Sequence, residues 1–89
     1  MAITTIERSD SFKKSYKKLS LRLRKKFERQ LSRLVEDRSY PSLKVKKLTG
    51  ENDIWEARID RSYRFTFCIT EEVLRLLTVG MHDVGLGKK

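Results

Sequence analysis

Three runs of residues close the chain, and the connections between them are too short for anything but hairpins. The runs are Ile54–Asp60, Tyr63–Thr70 and Val73–Met81, joined by Arg61-Ser62 and Glu71-Glu72. Two-residue links join antiparallel neighbours, whereas a parallel pair needs a crossover of a dozen residues or more. The pattern therefore predicts an antiparallel meander. Alternate side chains of a strand point to opposite faces. Tyr63, Phe65, Phe67 and Ile69 make one apolar face of the middle strand, and Arg64, Thr66 and Cys68 make the other. In the preceding strand Trp55, Ala57 and Ile59 are apolar, with Glu56 and Arg58 opposite. The last strand is apolar on both parities, so alternation alone leaves its facing open. Such a sheet presses one face onto other elements and leaves a polar face exposed.

Those other elements precede it. Residues 2–8, with β-branched Ile3, Thr4, Thr5 and Ile6, read as a short strand. Ser9-Asp10-Ser11 offers N-cap oxygens for a helix to about residue 18, with Phe12, Tyr16 and Leu19 on one stripe. Ser20 caps a second helix carrying Leu23, Phe27, Leu31, Leu34 and Val35, fading near Asp37-Arg38-Ser39. From Lys13 to Arg33 there are ten Lys or Arg against one acid, Glu28, mostly off the stripe. Both helices are thus amphipathic with a basic outer face. Pro41 ends the helical half. The lysine-rich Ser42–Leu48 segment is an edge strand or an extended loop, and Thr49–Asp53 is turn-rich. The Gly85–Lys89 tail reads as loose. The expected architecture is one α+β domain over residues 1–89, with an N-terminal strand and two helices packed on one face of a twisted antiparallel sheet.

The formal net charge of +9 on 89 residues favours polyanionic partners: RNA, DNA, an anionic membrane or an acidic protein. No apolar run approaches the roughly 20 residues of a spanning helix, and the first residues lack a signal-peptide pattern. The single cysteine, Cys68, excludes an internal disulfide and a four-cysteine zinc site. These features predict a cytoplasmic protein with no membrane partner, no metal and no cofactor.

Metal-free RNA cleavage needs a base for the 2′-hydroxyl, an acid for the leaving oxygen and cations for the phosphorane. His82, the only histidine, follows the last strand and suits either proton role. Arg64 offers a planar fork of donors to two phosphate oxygens. Lys44, Lys46 and Lys47 suit flanking phosphates or proton transfer, and Arg58 and Arg61 extend the basic set. Each has a plainer reading. His82 fits a polar strand end, Arg64 a pair with Glu56 or Asp60, and the lysines a solvated edge.

The order of elements resembles the RelE/ParE superfamily of bacterial and archaeal toxins. The resemblance rests on Leu48-Thr49-Gly50, Ile54-Trp55-Glu56-Ala57-Arg58-Ile59, Asp60-Arg61-Ser62-Tyr63-Arg64-Phe65-Thr66-Phe67 and Val79-Gly80-Met81-His82-Asp83, over about residues 3–84. These look like the pattern LxG, W-x-x-R-I, Y-R-hydrophobic and V-G-x-H-D. The resemblance implies a type II toxin with a cognate acidic antitoxin. RelE-type members are metal-independent endoribonucleases that cut mRNA in the ribosomal A site. ParE-type members share the fold, lack that site and poison DNA gyrase. By position, Arg64 matches a catalytic phosphate contact, and His82 matches a histidine that some RelE-like nucleases carry. Lys44, Lys46 and Lys47 fall where others place basic catalytic or RNA-binding residues. The chain departs in having no tyrosine after Tyr63, and Pro41-Ser42 where some members carry a glutamate base. Glu56 and a lysine, Lys47 among them, are then the candidate bases. The readings to test are an mRNA-cleaving toxin, a gyrase-poisoning toxin and a basic nucleic-acid-binding module.

Overall fold

A computed structural model describes residues 3–48 and 53–81. His82, residues 49–52 of the predicted turn, Ala2 of the predicted first strand and the C-terminal tail lie outside the described residues. Strand β1 spans Thr5–Arg8, helix α1 Asp10–Lys17 and helix α2 Leu21–Glu36. A 3-10 turn follows at Pro41–Leu43, then β2 (Lys46–Lys47), β3 (Trp55–Arg58), β4 (Tyr63–Thr70) and β5 (Val73–Met81).

Both helices begin where their caps require. The Ser9 Oγ accepts the Phe12 N–H at 3.0 Å, and the Ser20 Oγ accepts the Leu23 N–H at 3.2 Å. Each cap is worth about 1 kcal/mol. Helix α2 stops at Asp37, whose extended backbone cannot continue it. The Asp37 carboxylate takes the Ser39 hydroxyl and N–H, and these bonds hold it below the usual carboxylate range. Pro41 then opens the 3-10 turn, where its missing N–H costs nothing.

The five strands run in the order β1-β5-β4-β3-β2. The meander is antiparallel as predicted, and lysine-bearing β2 is its edge. The expectation of a wholly antiparallel sheet needs one correction: β1 pairs parallel to β5, so the sheet is mixed. Strand parity gives the reason. The helical hairpin returns the chain to the sheet antiparallel to β1, and three further reversals bring β5 into line with it.

The open question of β5's facing is answered by a bulge. Thr66 pairs with Thr78 but Phe67 pairs with Leu76, so Leu77 is an extra residue. Parity flips there: Leu74 and Leu76 are buried on one side of the bulge, Val79 on the other. The Leu77 carbonyl accepts the Ser9 hydroxyl at 2.8 Å. One serine thus caps α1 and satisfies the bulge.

The core lies between the helices and the odd-numbered face of β4. Phe12, Phe27, Phe65 and Phe67 are essentially inaccessible. Phe27 meets Phe65 edge-on at 5.0 Å and Phe12 at 5.4 Å, which ties α1, α2 and the sheet into one cluster. Among the described residues no helix is long and apolar enough to cross a membrane.

Candidate functional site

The β3–β4 turn is built on Asp60. One carboxylate oxygen accepts the Ser62 and Tyr63 N–H groups, each at 2.9 Å, and the other lies 3.7 Å from the Lys26 ammonium. Burial pushes the carboxyl upward, but these N–H groups and Lys26 outweigh it and hold Asp60 below the usual range. The turn's carbonyls then hold Arg64. Its Nη1 donates to the Asp60, Arg61 and Tyr63 carbonyls at 2.8, 3.1 and 3.2 Å. The predicted pairing of Arg64 with the Glu56 or Asp60 carboxylate is not formed, since Arg64 meets Asp60 only at its backbone. Among the described residues no acceptor meets its Nη2 or Nε.

Register places Arg64 in a row across three strands. Arg58 pairs with Arg64, and Arg64 with Gly80. Like charges directly opposite repel, and nothing in the row offsets them. The Arg58 Nε is buried without a hydrogen-bond partner among the described residues. Beside them, no heavy atom lies within 4 Å of where a Gly80 side chain would begin. Two arginines with no carboxylate partner among the described residues are thus paired across β3 and β4, and Arg64's other neighbour in the row has no side chain, an arrangement that an anion's oxygens would satisfy.

The next row on the same face, roughly 7 Å along the strands by two residues' rise, is Lys46–Glu56–Thr66–Thr78. Glu56 is only 4% exposed, so its carboxylate faces little water, and Lys46 Nζ stands 3.8 Å from it. The Thr66 and Thr78 hydroxyls share a 2.7 Å hydrogen bond and fix the row's centre.

The other predicted residues go elsewhere. Lys47 alternates away from Lys46: it pairs with Trp55, lies 5.9 Å over that ring and binds Asp53 at 3.0 Å. It does not share the face of Arg64. Lys44 and Arg61 leave the sheet face too. With Lys26, Arg29, Arg33 and Arg58, they line a cleft of about 360 Å³ between α2, the 3-10 turn and the β3–β4 turn. The predicted set is thus divided: Arg64, Lys46 and Glu56 belong to the sheet face, Lys44 and Arg61 to the cleft, and Arg58, paired with Arg64 by register, also lines the cleft. His82 lies outside the described residues.

Sequence reasoning passed over Gln30, which builds the cleft. It is 5% exposed, and its Nε2 donates to the Arg58 carbonyl at 2.8 Å and the Ser42 carbonyl at 3.3 Å. Its Oε1 accepts Arg33 Nη1 at 3.0 Å. The available signal was a polar residue between Phe27 and Leu34 on the apolar stripe. Among the described residues no three His, Cys, Asp or Glu side chains gather as a metal ion requires.

No protein-family model and no curated protein matches the sequence. Solved structures do match. A chain of the Escherichia coli DinJ–YafQ toxin–antitoxin complex superposes with TM-score 0.78 and 20% identity, over 98% of this chain and 100% of that one. The archaeal RelE–RelB complex from Pyrococcus horikoshii gives TM-score 0.74 and 18% identity, over 96% and 100%. A YoeB/ParE toxin from Agrobacterium tumefaciens gives 0.76 and 16%, over 89% and 99%. At these identities over nearly whole chains, the shared property is the architecture: two helices on a five-stranded mixed sheet, the fold of RelE/ParE-superfamily toxins.

Proposed function

We propose that this protein is the toxin of a type II toxin–antitoxin pair and cleaves mRNA on the ribosome, in the cytoplasm, without a metal. The observation that carries the reading is the Arg58–Arg64–Gly80 row: two paired arginines with no carboxylate partner among the described residues, next to a residue with no side chain. Cleavage proceeds by attack of a ribose 2′-oxygen on the adjacent phosphorus, with loss of the 5′-oxygen. The products are a 2′,3′-cyclic phosphate and a 5′-hydroxyl.

Each residue has a role. Arg64 binds the non-bridging oxygens through Nη2 and Nε, while its Nη1 stays on the turn carbonyls, which fixes the guanidinium plane before substrate arrives. Arg58 supplies the second positive charge. Glu56 is the base that takes the 2′-hydroxyl proton, with Lys46 as its counter-charge. His82 is the acid for the leaving oxygen, an assignment that rests on sequence alone. Lys47, held by Asp53 and Trp55, is left out of the chemistry. The solved structures that this chain resembles include toxin–antitoxin complexes, which supports an antitoxin partner. That partner is acidic, to match this chain's charge.

The test gives purified protein mRNA with and without translating ribosomes, beside Arg64→Ala and His82→Ala. Cleavage by the wild type and its loss in both variants is the expected result. Inhibition of gyrase supercoiling with no RNA cut would replace this reading with the gyrase-poisoning one.

A further inference from the structure

The helix-side cleft is lined by six cations, of which only Arg58 has a place in the chemistry above. They are Lys26, Arg29, Arg33, Lys44, Arg58 and Arg61, and Asp60 is the one acid among its lining residues. Of these lining cations, only Lys26 has an acid within 4 Å among the described residues, and that acid is Asp60.

The cleft is built rather than incidental. Gln30, buried at its base, ties α2 to the 3-10 turn and to the end of β3. Through Oε1 it also fixes Arg33, whose guanidinium lies 4.7 Å over the exposed Tyr40 ring. Lys44 stands in the left-handed region at φ 48°, a conformation that side chains other than glycine rarely adopt. Such strain persists where the surrounding structure imposes it and clusters at binding sites.

We infer that this cleft is a second phosphate-binding site, which holds the RNA backbone away from the point of cleavage. The inference rests on RNA being the substrate. The lining favours nucleic acid over an acidic protein. A protein partner anchors on exposed apolar side chains, and the one apolar lining residue, Ile59, is buried. Unopposed Lys and Arg beside a Tyr–Arg stack suit phosphates and a stacked base instead. Binding through such contacts is blind to sequence and sensitive to salt.

The test measures binding of a fluorescent 2′-O-methyl RNA, which lacks the attacking hydroxyl, across a potassium chloride series. The proteins are wild type, Arg29→Gln, Arg61→Gln, the double variant and Arg29→Lys. Both single sites are exposed, so folding is not at issue. Each Gln variant should weaken binding about threefold to tenfold and lower the slope of log K against log salt by about 0.7–1, equally on unrelated sequences. Arg29→Lys should keep the wild-type slope. Slopes and affinities equal to wild type in both Gln variants would overturn the inference, as would RNA binding unchanged while binding of an acidic antitoxin falls. Cleavage by wild type in parallel separates the two readings. If it cuts RNA and the Gln variants bind normally, only this inference fails; if it neither binds nor cuts RNA, both do.

Discussion

The sheet face and the helix-side cleft are both basic, but they are basic in different ways. On the sheet face the cations are few and constrained. Arg64 is held by three carbonyls, Arg58 is partly buried, and Lys46 stands over a buried glutamate. In the cleft Arg29, Lys44 and Arg61 are exposed and meet no acid among the described residues. Charges held in place by backbone can act on one atom of a reacting group. Charges on long solvated side chains attract a polyanion without fixing it. Net charge says little about function until the register shows which cations are held.

Gly80→Val puts a side chain beside Arg64 without meeting any atom within 4 Å of its Cβ. Stability should stay within about 1 kcal/mol of wild type, since valine suits a strand. Cleavage should fall on the order of 10²-fold, as misplacement of a reacting group does. Cleavage at the wild-type rate in a folded Gly80→Val protein would place the reaction elsewhere.

Gln30→Ala strikes the cleft instead. It strips the Arg58 and Ser42 carbonyls of a buried donor and should cost roughly 1–3 kcal/mol in denaturant unfolding. RNA affinity should fall with it. A variant as stable as wild type would mean that Gln30 does not brace the cleft.

Lys44→Gly separates strain from charge. Glycine adopts φ 48° freely, so melting should show a gain of about 1 kcal/mol while RNA affinity drops. Loss of stability would show that Lys44 is held by favourable contacts and is not strained.

The smallest effect is on the turn that both regions share. Asp60 has a folded-state value below its unfolded one. Its contribution is therefore present above about 3.9, the ordinary aspartate value, and fades as pH falls through the folded value. Wild type should melt above Asp60→Asn at neutral pH, and the gap should close as pH drops below about 4. A gap that stays constant across that range would count against the carboxylate as the turn's anchor.

Much of this architecture was legible in the chain because local rules decide it. Ser9 and Ser20 cap the helices, two-residue links force the meander, and alternation separates Phe65 and Phe67 from Arg64 and Thr66. What was not legible depends on long-range contacts. The Leu77 bulge is stabilised by Ser9, 68 residues earlier in the chain, so no local pattern marks it. The parallel β1–β5 pairing follows from where the helical hairpin returns the chain. Lys46 rather than Lys47 reaches Glu56 because of the β2–β3 register, and one residue's slip would exchange them. Arg64 stood out by position. The cleft did not, because Gln30 and Arg33 on α2, Lys44 after the 3-10 turn and Arg61 in the β3–β4 turn come from separate stretches of the chain, and each looks ordinary alone.

The central claim is that the Arg58–Arg64–Gly80 row carries the chemistry. The most direct measurement is the single-turnover rate of mRNA cleavage at saturating RNA, with a chelator present, for wild type and Arg64→Ala. The account predicts 2′,3′-cyclic phosphate and 5′-hydroxyl ends from the wild type, and a rate lower by about 10²–10³-fold in the variant. An Arg64→Ala protein that cuts at the wild-type rate, or wild-type products ending in a 3′-hydroxyl, would contradict it.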